Sequence, residues 1–410
     1  MSSEIGESEV NKWGMLGWVC IALVLSMTTW FSATAVIPEL ITHLSLSEAQ
    51  SAWLTNGVQI GFVLGALASS VVNLPDIVKI ERLLGISAVL AAVANALLLF
   101  APTAETAFFV RFLTGVALAG VYPPTVKLIS TWFKKGRGLA LGAVIGALCL
   151  GSAAPHLVRA LSSGLEWRLV VITASIATAT GAVIFLFLVR EGPFPFSRAT
   201  FSPRQIGKVV RNRPLMLANL GYFGHMWELY AFWGWLLTYT TASLELQGAQ
   251  SASMTASLLT FSAVAIGAVG CVAAGWLADR LGRTATCILM MTVSGGCALL
   301  IGFFFEGPFW LFAAVSLIWG IFVIGDSAQF STMATEVSDP RFVGTALTFQ
   351  MGIGFAISVL AIWLTPLVAN WLGSWHWTFI ILVPGPAIGI LAMLALRREA
   401  EATKIAAGRM

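Results

Sequence analysis

The sequence predicts an all-α membrane protein of twelve spanning helices, and three observations lead there. First, 58% of the 410 residues are hydrophobic and only 10% are charged, whereas soluble globular chains carry roughly 25% charged residues. Second, the shortage of charge extends from residue 14 to residue 396 rather than sitting in one segment, so a bilayer has to be the solvent for nearly the whole chain. Third, long apolar runs recur at about the 20 residues that a helix needs to cross ~30 Å of hydrocarbon. Backbone groups in lipid have to pair within the segment, which makes each run a helix.

The runs place spans at 14–40, 52–73, 83–101, 105–131, 138–162, 168–190, 214–241, 251–278, 284–304, 308–335, 341–370 and 375–396. The first is too long for the apolar region of a removable signal peptide and is expected to stay as helix one. With twelve spans, 19 of the 23 Lys and Arg fall in loops and tails on one side. Cationic loops stay in the cytoplasm, so both termini are placed there. The longest polar stretch, 191–213, holds Pro193, Pro195 and Pro203 among several arginines and makes a poor span. The expected organisation is therefore a tail at 1–13, a six-helix bundle at 14–190, a cytoplasmic linker at 191–213, a second six-helix bundle at 214–396 and a tail at 397–410.

Local patterns recur between the halves at a nearly constant offset, the mark of an internal duplication. Gly115 and Gly120 in helix four match Gly320 and Gly325 in helix ten, an offset of 205. Trp167 near the start of helix six matches Trp375 near the start of helix twelve, an offset of 208, and Gly65 in helix two matches Gly275 in helix eight, an offset of 210.

After helix eight the chain reads Gly275-Trp276-Leu277-Ala278-Asp279-Arg280-Leu281-Gly282-Arg283-Thr284, which closely resembles the loop signature of the major facilitator superfamily. Physically, a glycine lets two helices approach, an aspartate suits a neighbouring helix N-terminus, and two arginines bind carboxylates or lipid phosphates at the cytoplasmic rim. The resemblance implies that Gly275, Asp279, Arg280, Gly282 and Arg283 latch the outward-facing state. The first-half copy departs from the pattern: its aspartate is displaced, and a latch rebuilt from Asp76 and Arg82 stands beside a plain solvated loop. Arg111-Phe112-Leu113-Thr114-Gly115 is similar to the superfamily's arginine-containing motif in helix four. Gly142, Gly146, Gly151 and Pro155 resemble its glycine-rich motif in helix five, without the Gly-Pro pair. The resemblance covers essentially the whole chain and implies a twelve-helix carrier; it reaches no subfamily.

An ionised group at the bilayer centre costs about 2.5 kcal/mol or more, so charges inside the spans are candidate functional groups. His225 and Glu228 lie on one face of helix seven, about 16 Å and about 21 Å from its start at 1.5 Å per residue. Glu228 is expected to carry a proton with His225 tuning it, against the plainer reading of a hydrogen-bonded pair that fixes packing. Asp326, with Gln329 one turn on, is a second acid that suits either coupling or a gate. Arg111 keeps its charge and either holds an anionic solute or bonds to helix carbonyls. Lys127 and Arg159 are nearer helix ends and are expected to snorkel. Trp30, Phe31, Trp233 and Trp235 either line a cavity or pack.

Several functions are excluded or lack support. No Gly-x4-Gly-Lys-[Ser/Thr] loop is present for ATP, no long basic stripe for nucleic acid, and no nucleophile–base–orienter set for an enzyme. The five cysteines, all in apolar stretches without metal-binding spacing, read as small hydrophobes. No metal or cofactor is called for. The expected function is secondary transport of a small organic or inorganic anion, coupled to protons or a counter-solute, by a monomer in a bacterial cytoplasmic membrane. Arg111, His225, Trp30, Trp235 and Gln329 are expected at the solute, with Glu228 and Asp326 carrying the proton. Efflux of lipophilic drugs or cations and a membrane sensor that binds without transporting are the rivals.

Overall fold

Hydroxyl, proline and glycine residues interrupt several of the expected spans, and those interruptions set the architecture. The computed structural model describes residues 2–72, 74–133, 136–162, 166–194, 205–339 and 343–408. In the first half of the chain the helices are α1 (Ser2–Met27), α2 (Ile37–Leu44), α3 (Glu48–Val72), α4 (Leu74–Ile77), α5 (Ile80–Leu97), α6 (Ala104–Leu118), α7 (Tyr122–Ser130), α8 (Arg137–Leu161) and α9 (Trp167–Phe187). The second half holds α10 (Ile206–Arg211), α11 (Arg213–Leu246), α12 (Ala252–Ala265), α13 (Gly267–Leu281), α14 (Arg283–Leu300), α15 (Phe309–Gly325), α16 (Ser327–Val337), α17 (Val343–Leu372) and α18 (Pro384–Leu396). No strand occurs among the described residues.

By length and composition, ten described helical runs are able to cross a membrane, from Gln50–Val72 to Thr378–Leu396. The two expected spans outside those ten are 14–40 and 214–241. The second forms α11, a helix of 34 residues. The first is corrected: it is not one helix but ends at Met27, turns through Thr28–Ala33, passes a 3₁₀ turn at Thr34–Val36 and restarts as α2. Its hydroxyls bond back onto the chain, Thr28 Oγ1 to Leu25 O at 2.7 Å and Thr29 Oγ1 to Ser26 O at 3.1 Å. Such back-bonding competes with a continuous helix.

Span 105–131 likewise divides between α6 and α7, where Pro123 and Pro124 cannot donate to the preceding turn. Span 308–335 divides at Asp326, between α15 and α16. The first break contains Gly120 and the second follows Gly325, so the sequence repeat is also a structural one.

The repeat extends to helix crossings. α3 lies so close to α6 that a Cβ on Gly115 would fall 2.1 Å from Val58 O, and α12 so close to α15 that a Cβ on Gly320 would fall 1.9 Å from Ala263 O. Small residues let helix backbones approach where lipid supplies no hydrophobic drive. The two halves meet where α8 runs beside α12 and α13, and where α3 runs beside α17.

Gly320→Leu should therefore lower the apparent melting temperature in detergent by several degrees, as overpacking costs about 1–3 kcal/mol or more. Gly275→Leu should leave it unchanged, because nothing lies within 4 Å of a Cβ there. Equal melting temperatures for both variants would contradict the crossing.

Candidate functional site

Arg111 sits on α6 with 0% of its surface exposed, and the broken first span converges on it. Its Nη1 donates to Thr29 O at 2.9 Å, Asn95 Oδ1 at 3.0 Å and Ser32 Oγ at 3.2 Å. Its Nη2 donates to Trp30 O and its Nε to Leu54 O at 3.4 Å. Asn95 in turn donates to Val171 O and Ser175 Oγ on α9. The guanidinium thus supplies donors to carbonyls that the helix break leaves without intrahelical partners. Of the two readings open in the sequence, the geometry matches the bond to backbone carbonyls, and no described carboxylate pairs with Arg111.

The second half places its titratable groups differently. His225 Nδ1 approaches Asp326 Oδ1 at 2.8 Å, out of line for a hydrogen bond, and His225 Nε2 meets Ser327 Oγ at 3.1 Å. Both members of the pair are buried. The contact pins α11 to the break between α15 and α16. Glu228, one turn along α11, turns elsewhere: Ser294 Oγ donates to its Oε2 at 2.9 Å and Trp319 Nε1 to its Oε1 at 2.7 Å. His225 and Glu228 therefore share a helix but not a hydrogen bond, and the partner that faces His225 is Asp326.

A cavity of about 170 Å³ opens between the halves, walled by Phe62, Val63, Pro123, Met351 and Phe355 with Lys127 at its side. Lys127, expected to snorkel, instead reaches across to Pro75 O at 3.3 Å and lines this cavity. At its inner end the halves close through packed aromatic rings. Phe62 and Phe355 lie 4.8 Å apart, Trp30 and Tyr230 6.0 Å apart, and Phe31 and Trp233 5.8 Å apart.

At the far end, reached where α8 finishes and α12 begins, Arg159 is buried rather than snorkelling. Its Nη2 pairs with Glu39 Oε1 at 2.7 Å, and its Nη1 donates to Ser257 Oγ at 2.6 Å in the other half. The halves are tied at this end, and the cavity lies between them at the Lys127 end.

The remaining sequence candidates scatter. Trp30 joins the ring layer, whereas Trp235 donates to Ile362 O at 2.9 Å and packs on Trp375. Gln329 accepts from Arg283 Nη1 at 2.9 Å, and Arg283 also pairs with Glu336 at 3.0 Å, so α14 and α16 are joined at the rim. Gly282, with φ of 90°, turns α13 into α14 in a conformation that favours glycine. Arg280 lies 3.9 Å over the Trp276 ring, and Asp279 is exposed. Gly275 faces open space, so the close helix approach expected there is absent. Arg82 is exposed, and the side chain of Asp76 lies outside the described residues. Sequence reasoning missed Asn95, Ser294 and Trp319, and also Asn56 and Gln59 on α3. Their signal was an amide or hydroxyl inside an apolar run, which is weaker than a charge.

The sequence profile described as the Major Facilitator Superfamily matches residues 19–348 and 250–409. This chain belongs to that superfamily and is a multi-pass integral membrane protein. It is 24% identical over 326 residues to the niacin transporter NiaP of Acinetobacter baylyi, covering 70% of each chain. It is 22% identical over 395 residues to the membrane sensor protein UhpC of Escherichia coli, covering 89% of this chain and 87% of that one. The chain spans 56% and 42% of the length of two Aspergillus MFS-type transporters that it also matches. Its fold resembles a bacterial homolog of the human lysosomal transporter Spinster in an inward-facing, unoccupied conformation. That likeness has a TM-score of 0.71 at 15% identity, over 94% of this chain and 98% of the other.

Because Arg111 answers backbone carbonyls, Arg111→Lys should lower the apparent melting temperature even without solute. An ammonium cannot span Thr29, Trp30 and Asn95 together, and each orphaned buried group costs about 1–3 kcal/mol. An unchanged melting temperature with weakened solute binding would assign Arg111 to the solute instead.

Proposed function

We propose that this chain is a secondary transporter of a small organic anion, working by alternating access as two six-helix bundles, 14–190 and 214–396, rock about the ring layer. In this reading both termini and the Lys127 end of the cavity face the cytoplasm of a bacterial cell, because the loops at that end hold most of the positive charge. The observation that carries the reading is the cavity between the halves, open beside Lys127 and closed at the opposite end by Arg159. Its apolar walls suit an organic solute, and its cation suits an anionic one. The likeness to a niacin transporter supports the same class. Efflux of lipophilic cations has less support, since Glu228 and Asp326 do not line the cavity.

Coupling to protons is assigned to Glu228. Charged, it is a buried anion held by two neutral donors, with no described cation within 4 Å. Protonated, it is a neutral group with both oxygens engaged. Gaining and losing a proton there changes what the surrounding packing has to tolerate, and the His225–Asp326 pair beside the α15–α16 break offers a movable element to respond. The likeness to a membrane sensor favours a second reading, binding without transport.

Counterflow of labelled niacin, or another small carboxylate that binds, in proteoliposomes separates the two: a carrier exchanges solute and a sensor only binds it. In the carrier, Glu228→Gln should abolish accumulation driven by a pH gradient while exchange at equal pH persists. Accumulation that survives in Glu228→Gln would remove this residue from coupling and pass the role to Asp326.

A further inference from the structure

Several buried polar atoms without partners belong to the elements that meet at the ring layer between the halves. They are Trp30 Nε1, Trp233 Nε1, Asn56 Oδ1 and both ends of the Gln59 amide. Their side chains belong to residues no more than 2% exposed. Native interiors leave few such groups unmatched, so a cluster of them calls for an explanation.

Their positions are tied together by contacts on each side. On α3, Gln59 lies one turn inward of Phe62, which lines the cavity, and one turn from Asn56, whose Nδ2 donates to Val359 O on α17. Thr55 Oγ1, a turn before Gln59, meets Thr34 Oγ1 at 2.8 Å, which holds α3 against the segment after Trp30 and Phe31. Trp30 is 4.8 Å from Phe62, and Tyr230 is 5.9 Å from Trp233. The unmatched groups thus face the junction of the halves from both sides, behind Phe62, Phe355 and Tyr230.

Resting on the carrier reading above, we infer that Trp30, Gln59 and Trp233 form an occluded compartment that selects a planar aromatic or heteroaromatic monocarboxylate. Donors predominate in the cluster: two indole N–H groups and the Gln59 amide hydrogens, against two carbonyl oxygens. A carboxylate consumes donors of this kind, and charge-assisted bonds to it are the stronger sort. The surrounding rings offer stacking faces to a planar body. Lys127 at the mouth favours an anion on the way in. Arg111, held by Thr29, Trp30 and Asn95, is not needed to hold it.

The test is binding to purified protein by calorimetry, with benzoate, the isomeric pyridinecarboxylates, benzamide and cyclohexanecarboxylate as probes. At least one planar carboxylate should bind more tightly than cyclohexanecarboxylate and benzamide. Trp30→Phe and Trp233→Phe, which keep a ring but lose the N–H, should each weaken it by about tenfold or more, the loss of one hydrogen bond to a charged group. Gln59→Leu should do the same. Trp227→Phe, whose N–H already bonds Ile381 O at 2.8 Å, should leave affinity unchanged and shows that losing an indole is not in itself damaging. Equal binding of the planar and saturated acids, no saturable binding by any planar acid, or affinity unmoved by all three variants would overturn the inference. Counterflow of some other solute would then leave the carrier reading standing, whereas tight aromatic-acid binding without counterflow would support this compartment and remove the carrier.

Discussion

The constraint on which the rest depends is that a helix broken inside an apolar medium exposes carbonyls that no water can satisfy. In the first half, the chain between Met27 and Ile37 leaves the helical path, and Arg111 on α6 meets the freed oxygens of Thr29 and Trp30. Asn95 and Ser32 complete the set. A permanently charged group serves here because its planar fork spans several acceptors at once. The second half has its own break, at Asp326, where His225 of α11 meets the side chains of Asp326 and Ser327. The two breaks lie at different places in the repeat: Arg111 braces the first, and the His225–Asp326 pair sits at the second.

Between them the halves are held by three different kinds of contact. Arg159 bridges them at one end through Ser257, packed aromatic rings join them in the middle, and the cavity lies between them beside Lys127. A single hydrogen bond from a charged donor contributes about 1.5–3 kcal/mol net. A tie of that size closes an end without fixing it. The proposed carrier needs two arrangements close in energy, and a tie of this size between the halves is compatible with that.

The spans were legible because they depend on the bilayer alone: a run of about 20 apolar residues has one stable answer whatever its neighbours are. The breaks were not, since the path after Met27 is decided by Arg111, 82 residues from Thr29 in sequence. Among the candidate site residues, Arg111, His225, Glu228 and Asp326 stood out because charge is rare in lipid. Their partners did not: Ser294 and Trp319 look like any hydroxyl or indole until the fold brings them to Glu228. Gln59 and Asn56 were passed over for the same reason. Arg159 was misjudged because nearness to a helix end suggests snorkelling, and nothing local announces that Glu39 reaches it from another helix.

Whether the cavity opens to each face of the membrane in turn is tested most directly by chemical access to its inner wall. With the five native cysteines replaced, Val63→Cys in sealed vesicles of known orientation would be exposed to a membrane-impermeant maleimide from one face or the other. A carrier should be modified from both faces, more slowly from the Arg159 end, and faster from that end once Arg159 is changed to Gln. Modification from the Lys127 face alone, in both chains, would contradict alternating access.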